Sequence, residues 1–253
     1  MKKISLLLVF VLLLGACGPV SEDSGAISTC RLTMDALSAL IGGLELPANF
    51  QAKNPVKTGG EFDVMKYFSV LDHLSMQPGY ALDYIYHYDG MGGYPLLYVR
   101  PASQPPLTTE ADLPAGFNRS GYLDYIQTDD TPDGYFQFVV LAMMGNQFYK
   151  LFQINNNDSE IVCTKANVRH IVSGLNGDFG NRISLVSWVR AFLLKDISPS
   201  VNIGEQSVEV RLVTFTLWGG FYEQAYTINR AIPHTIQDVQ KKNLVPYDCG
   251  VMF

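Results

Sequence analysis

Tyr80-Ala81-Leu82-Asp83-Tyr84-Ile85-Tyr86-His87-Tyr88 decides the fold class of this chain. Tyr80, Leu82, Tyr84, Tyr86 and Tyr88 fall on one side of a period-two repeat, and Ala81, Asp83, Ile85 and His87 on the other. Successive side chains point to opposite faces in an extended strand, so the run predicts a β-strand with an aromatic face. Asp89-Gly90-Met91-Gly92-Gly93 then turns the chain toward a partner strand at Tyr94 to Arg100. Upstream, Phe62, Met65, Phe68, Leu71 and Leu74 recur every three residues, which predicts an amphipathic helix over Glu61 to Leu74, stopped by Gln77-Pro78-Gly79.

Downstream, two aromatic-rich runs between Tyr135 and Ile154 flank Gly145-Asn146, a dipeptide suited to a tight hairpin turn. The first run is apolar on both faces and predicts a strand in the middle of a sheet. A third hairpin joins Ser207 to Thr216 with Phe221 to Arg230 through Leu217-Trp218-Gly219-Gly220. Helices are expected at Lys165 to Ser173, between Thr164 as N-cap and Gly174 as stop, and at Ile183 to Leu194. Hairpins outnumber crossovers, so the expected class is α+β: an antiparallel sheet built from hairpins with helices packed on one face, in a single domain over residues 30–253. Arg100 to Gly121, with Pro101, Pro105, Pro106 and Pro114, reads as a long surface loop inside that domain. The first and third hairpins share a Gly-Gly-aromatic turn, which turn chemistry explains without an internal duplication.

The N-terminus reads as an address. Met1-Lys2-Lys3 precedes an apolar run from Ile4 to Leu14, interrupted only by Ser5, and Leu14-Gly15-Ala16-Cys17 closes it. A charged start, a short apolar stretch and small residues at a cleavage site form an export signal, and eleven residues are too few to span a bilayer, which needs about 20. The last four residues resemble the lipobox of bacterial lipoproteins. The resemblance implies cleavage after residue 16 and diacylation of Cys17, a lipid anchor on the extracytoplasmic side of a membrane. Gly18 after the cysteine fits the outer membrane if the host has two. Residues 17–29 are small and polar without periodicity and are expected to form a flexible tether of about 20 Å.

Formal charge is −6 for the whole chain; removing Lys2 and Lys3 with the leader leaves 16 basic against 24 acidic residues, or −8. That balance argues against nucleic acid and anionic headgroups as partners, both of which are bound through clustered Lys and Arg. Beyond Cys17 the cysteines are Cys30, Cys163 and Cys249. Export permits disulfides, and pairing of Cys163 with Cys249 is expected because it would pin the C-terminal tail, with three buried thiols as the alternative.

Chemical motifs are sparse. Gly-x-Ser-x-Gly, His-Glu-x-x-His, Gly-Lys-Ser/Thr and Cys-x-x-Cys do not occur, and Gly90-Met91-Gly92-Gly93 lacks the third glycine of a dinucleotide turn, so no cofactor is expected. His73, His87, His170 and His234 are isolated in sequence. Asp129, Asp130 and Asp133 form a weak calcium candidate, but an EF-hand starting at Asp129 fails at Val140, where glutamate belongs, and a turn leading into a strand is the simpler reading. Tyr84, Tyr86 and His87 can offer a binding platform, although the tyrosine face serves equally for packing against a helix. Trp218, at a hairpin tip, is the preferred single contact residue.

Asp129-Asp130-Thr131-Pro132-Asp133-Gly134-Tyr135-Phe136-Gln137-Phe138, Val213-Thr214-Phe215-Thr216-Leu217-Trp218-Gly219-Gly220-Phe221 and Val245-Pro246-Tyr247-Asp248-Cys249-Gly250 resemble segments of a group of bacterial lipoproteins to which no activity is attached. The resemblance covers most of residues 61–253 and implies an envelope protein without supplying a mechanism. A membrane-anchored, non-enzymatic binding protein is therefore expected, with an envelope hydrolase using one histidine and the acidic loop as the alternative. Replacing Cys17 by serine should abolish labelling by radioactive palmitate and release the protein from the membrane fraction; a Cys17→Ser chain that stayed acylated would contradict the lipobox.

Overall fold

A computed structural model describes residues 24–151, 159–175 and 181–250. The leader, Cys17, the tether up to residue 23 and the Asn155-Asn156-Asn157-Asp158 loop lie outside the described residues. Helix α1 (Ser24–Ile41) already includes six residues expected in the tether. Cys30, Met34, Leu37 and Ile41 recur at helical spacing along it, and Cys30 and Leu37 are buried in the main core. The helix expected over Glu61 to Leu74 is replaced by a short 3-10 helix at Val64–Ser69, capped by the Asp63 carboxylate, followed by strand β1 (Leu74–Met76). A strict three-residue repeat is the period of a 3-10 helix, which does not extend far, while an α-helix drifts away from it. The residues facing the core are Phe62, Val64, Tyr67, Leu71 and Leu74, with Phe68 packed partly against it.

Strands β2 (Tyr80–Tyr88) and β3 (Gly93–Pro101) form the expected antiparallel hairpin, with Tyr84 opposite Leu97. One face of β2, with Leu82, Tyr84 and Tyr86, enters the main core. The other face, with Ile85, Leu96 and Tyr98, is covered by Leu107, Leu113 and Phe117 from the long Pro-rich loop. Asp83 on that face is 6% exposed and is held between Lys57 and Arg100 Nε, the latter at 2.9 Å. Burying a carboxylate is costly unless it is paired and hydrogen-bonded, and here two cations satisfy it. The loop is thus a built cover for the hairpin, fastened where Leu107 N–H donates to the Tyr98 hydroxyl at 2.6 Å.

Strand β4 (Ile126–Thr128) pairs with β1, and helix α2 (Pro132–Met144) follows in place of the predicted strand and hairpin. The acidic segment is the cap of this helix: Thr131 Oγ1 accepts the Gly134 N–H at 3.1 Å and Pro132 occupies the first turn. A run that is apolar on every side fits a buried helix as well as a central strand, and periodicity alone does not separate them. Gly145 does not turn a hairpin; its N–H closes the helix on Leu141 O at 2.9 Å.

Strand β5 (Glu160–Val162), α3 (Lys165–Gly174, capped by Thr164) and α4 (Leu185–Phe192, capped by Ser184) lead into β6 (Ser200–Ile203), β7 (Ser207–Thr216), β8 (Gly220–Asn229) and β9 (Ile236–Val245). The five strands form an antiparallel sheet in the order β5-β7-β8-β9, with β6 also on β7. Val208, Val210 and Leu212 of β7 face α2, while Val213 and Phe215, on the opposite side of the strand, join the core beneath α3 and α4. Two core clusters therefore meet across one sheet. The class is α+β with antiparallel sheets.

The expected bridge between Cys163 and Cys249 is not formed. Cys163 is bonded to Cys30, with Cα atoms 5.7 Å apart, and Cys249 is a buried thiol. The C-terminal tail is held by backbone bonds instead: Cys249 N–H donates to Leu217 O at 3.0 Å and Asn181 N–H to Cys249 O at 2.8 Å. Because α1 begins before Cys30, the bridge ties the N-terminal helix to the residue that precedes the α3 cap.

Candidate functional site

Between β3, the segment Asn118 to Asp124, the C-terminal end of α2 and the β8–β9 pair lies a cleft of about 630 Å³. Its floor is apolar, built from Leu97, Leu123, Ala142, Met143 and Ile236, and Asn118, Arg119, Asp124, Asn146 and Thr235 supply polar groups along its walls. Clefts of this size with an apolar lining and a few polar groups are the usual form of small-molecule sites.

Each wall is fixed from behind. Arg119 Nη1 donates to the Tyr94 hydroxyl at 2.8 Å, and its guanidinium lies over the Tyr94 ring, 5.7 Å from the centroid. Tyr94 stands opposite His87 in the hairpin register, with ring centroids 5.1 Å apart, and His87 Nδ1 contacts Glu110 Oε2 at 2.7 Å. On the facing wall the Tyr226 hydroxyl donates to Gln224 Oε1 at 2.8 Å, and Gln224 Nε2 donates to Thr214 Oγ1 at 2.8 Å. Burial pushes the Tyr226 hydroxyl up to about 12. Arg119 and Asp124 take no part in the ion pairs found among the described residues. A second hollow of about 390 Å³ lies on the other side of Asn118 and Tyr122, under the Pro-rich loop.

The residues singled out from the sequence are placed differently. Tyr84 and Tyr86 are buried in the core, with Tyr86 stacked on Phe50 at 4.4 Å and its hydroxyl donating to Tyr149 O at 2.7 Å, so their face is packing and no platform. Gly93 lies directly against the Tyr86 ring, where any Cβ would clash, which accounts for the glycine in that turn. Trp218 is half-buried against the second core cluster. His87 does not line the cleft; its ring packs 5.1 Å from that of Tyr94, which does. Cys17 lies outside the described residues.

The acidic loop is a hub of pairs. Asp129 Oδ2 contacts His73 Nδ1 at 2.7 Å while its Oδ1 accepts from Thr131 Oγ1 at 2.5 Å. Asp130 takes a bidentate bond from Arg230, at 3.0 and 2.6 Å, and accepts from the Tyr135 hydroxyl at 2.9 Å. The hydrogen bonds from Arg230 and Tyr135 lower Asp130 to about 2. Asp133 sits in the first turn of α2, where a negative charge suits the helix N-terminus. The weak calcium candidate is thus divided among a histidine, an arginine and a helix end. His234 is buried, contacting Thr128 Oγ1 at 3.3 Å and Asn229 O at 3.2 Å.

Comparison with protein-family models, with curated proteins and with solved structures finds no match. The cleft residues were not singled out by sequence motifs because no two lining segments share a local pattern. The one available signal was the unusual length of the loop from Arg100 to Gly121, which contains Asn118 and Arg119.

The Asp129 hydrogen bond raises His73 above its ordinary value of 6.5. Such a pair adds stability below 6.5 that is lost as the pH rises through the raised folded-state value. An NMR titration of His73 should show a midpoint above 6.5 that falls in Asp129→Asn; an unchanged midpoint in the variant would contradict the pairing.

Proposed function

We propose that this chain is a lipid-anchored protein of the bacterial cell envelope that binds a small amphiphilic molecule in the cleft, without catalysing its conversion. The lipobox at Leu14 to Cys17 supports the address. The observation that carries the binding role is an open cleft with an apolar floor and a guanidinium, Arg119, braced at its wall. A planar guanidinium favours carboxylate, sulfate or phosphate groups, and the floor of Leu97, Leu123 and Met143 favours an apolar body, so the ligand class is an amphiphile with an acidic head. None of the histidines lines the cleft. His73 and His87 each meet a carboxylate and His234 meets a threonine and a carbonyl, contacts that fit structural pairing better than an acid–base relay.

Laurate is a suitable probe because it pairs an acidic head with an apolar body. Isothermal titration calorimetry should show one binding site. Arg119→Ala should weaken binding at least about tenfold, the scale of one charge-assisted hydrogen bond. Ala142→Trp, which fills the floor, should abolish it. Absence of binding, or binding indifferent to both substitutions, would overturn the assignment.

A further inference from the structure

Helix α4 is amphipathic in the reverse sense. The residues it turns toward the protein are small: Ser187, whose hydroxyl donates to Pro246 O at 2.9 Å, and Ala191. Those it turns outward are large and apolar, with Leu185 77% exposed, Leu193 69%, Val186 61%, Val189 42%, Trp188 40% and Phe192 38%. At 3.6 residues per turn these six side chains sweep an outward arc of roughly 160°. A surface helix ordinarily buries its apolar stripe, and an exposed patch of this kind marks an interaction surface. The stripe is unbroken by charge, and the charges that border it are Arg182, Arg190, Lys195 and Asp196, all exposed.

We infer that α4 docks on the surface of an anionic bilayer, with Leu185, Trp188, Val189, Phe192 and Leu193 entering the headgroup–acyl boundary. Charge selects this occupant over a neutral protein surface or a symmetric second copy, which would set basic residues against basic residues. Residues 165–196 hold five basic residues and two acidic residues, in a chain whose net charge is −6. The acidic balance of the whole conceals a basic end, and it lies where the apolar helix lies. A short helix with Trp, Phe and Leu outward and Arg at its flanks is the pattern of an interfacial segment. From Cys17 to Ser24 the chain reaches at most about 25 Å, and the Cys30–Cys163 bridge fixes α1 beside the start of α3, the ten-residue helix that shares a core with α4. An anchor on Cys17 would hold the N-terminus of α1 within that reach of the membrane. The inference is independent of the cleft and uses the anchor only for proximity.

The chain has two tryptophans, so Trp218→Phe leaves Trp188 as the sole reporter. With vesicles of phosphatidylethanolamine and phosphatidylglycerol, Trp188 emission should shift to the blue and be quenched by bromine on the acyl chains. The effect should be weaker on phosphatidylcholine alone. The reciprocal Trp188→Phe chain should lose the signal, and Leu185→Glu and Leu193→Glu, at positions where folding buries little, should each lower the docked fraction about tenfold. Trp188 that remains open to aqueous iodide on anionic vesicles would overturn the inference. Protection of Trp188 that rises with protein concentration and needs no lipid would overturn it in favour of self-association. Acylation and membrane recovery are read separately through Cys17, so failure of the anchor and failure of α4 docking give different results.

Discussion

Burial of helix α2 on every side is the constraint on which the rest of the structure depends. Tyr135, Phe136, Phe138, Val139, Val140 and Leu141 all lie within the main core, and no side of those two turns faces water. A helix of this kind gains stability only if its neighbours surround it, so α1, the β1–β4 pair and strands β6 and β7 are all required to close around it. The N-terminal helix is fastened to this arrangement by the Cys30–Cys163 bond, and the β2–β3 hairpin contributes Leu82, Tyr84, Tyr86 and Leu97 to the same cluster.

The same constraint explains which elements were legible in the sequence. The hairpins at Tyr80 to Arg100 and Ser207 to Arg230, and the helix after Thr164, follow rules that act within a few residues: alternation, glycine turns and a side-chain cap. Helix α2 was misread because its β-branched and aromatic residues favour strands and its all-round apolarity hides the helical period; only the Thr131-Pro132 cap carried the correct signal. The disulfide depended on where α1 lies relative to β5, a tertiary fact with no local trace. The cleft is a product of tertiary packing too, since Arg119, Met143 and Ile236 come from three separated segments.

Three sets of polar groups, two of them buried or half-buried and one exposed, join separate segments of this protein. Asp83 lies between Lys57 and Arg100, the Gln224 amide connects Thr214 and Tyr226, and Asp130 holds Arg230 and Tyr135. Each set fixes a surface: Arg100 pins the Pro-rich loop through Gln104 O, Tyr226 forms a cleft wall, and Arg230 joins the end of β8 to the loop before α2. The cleft with Arg119 and the outward stripe of α4 offer surfaces of a different kind. One offers hydrogen bonds and an apolar floor to a small ligand, and the other offers apolar side chains among basic residues to a lipid surface. They lie on different core clusters, so either can be altered while the other is left in place.

If α2 is the element around which the protein closes, its backbone amides should open only when the whole domain unfolds. Native-state hydrogen exchange of residues 135–144, followed by mass spectrometry across a denaturant series, tests this most directly. These amides are expected to exchange with the free energy and denaturant dependence of global unfolding, together with those of β7. Exchange of this segment at the rate of the surface loops, independent of denaturant, would contradict it.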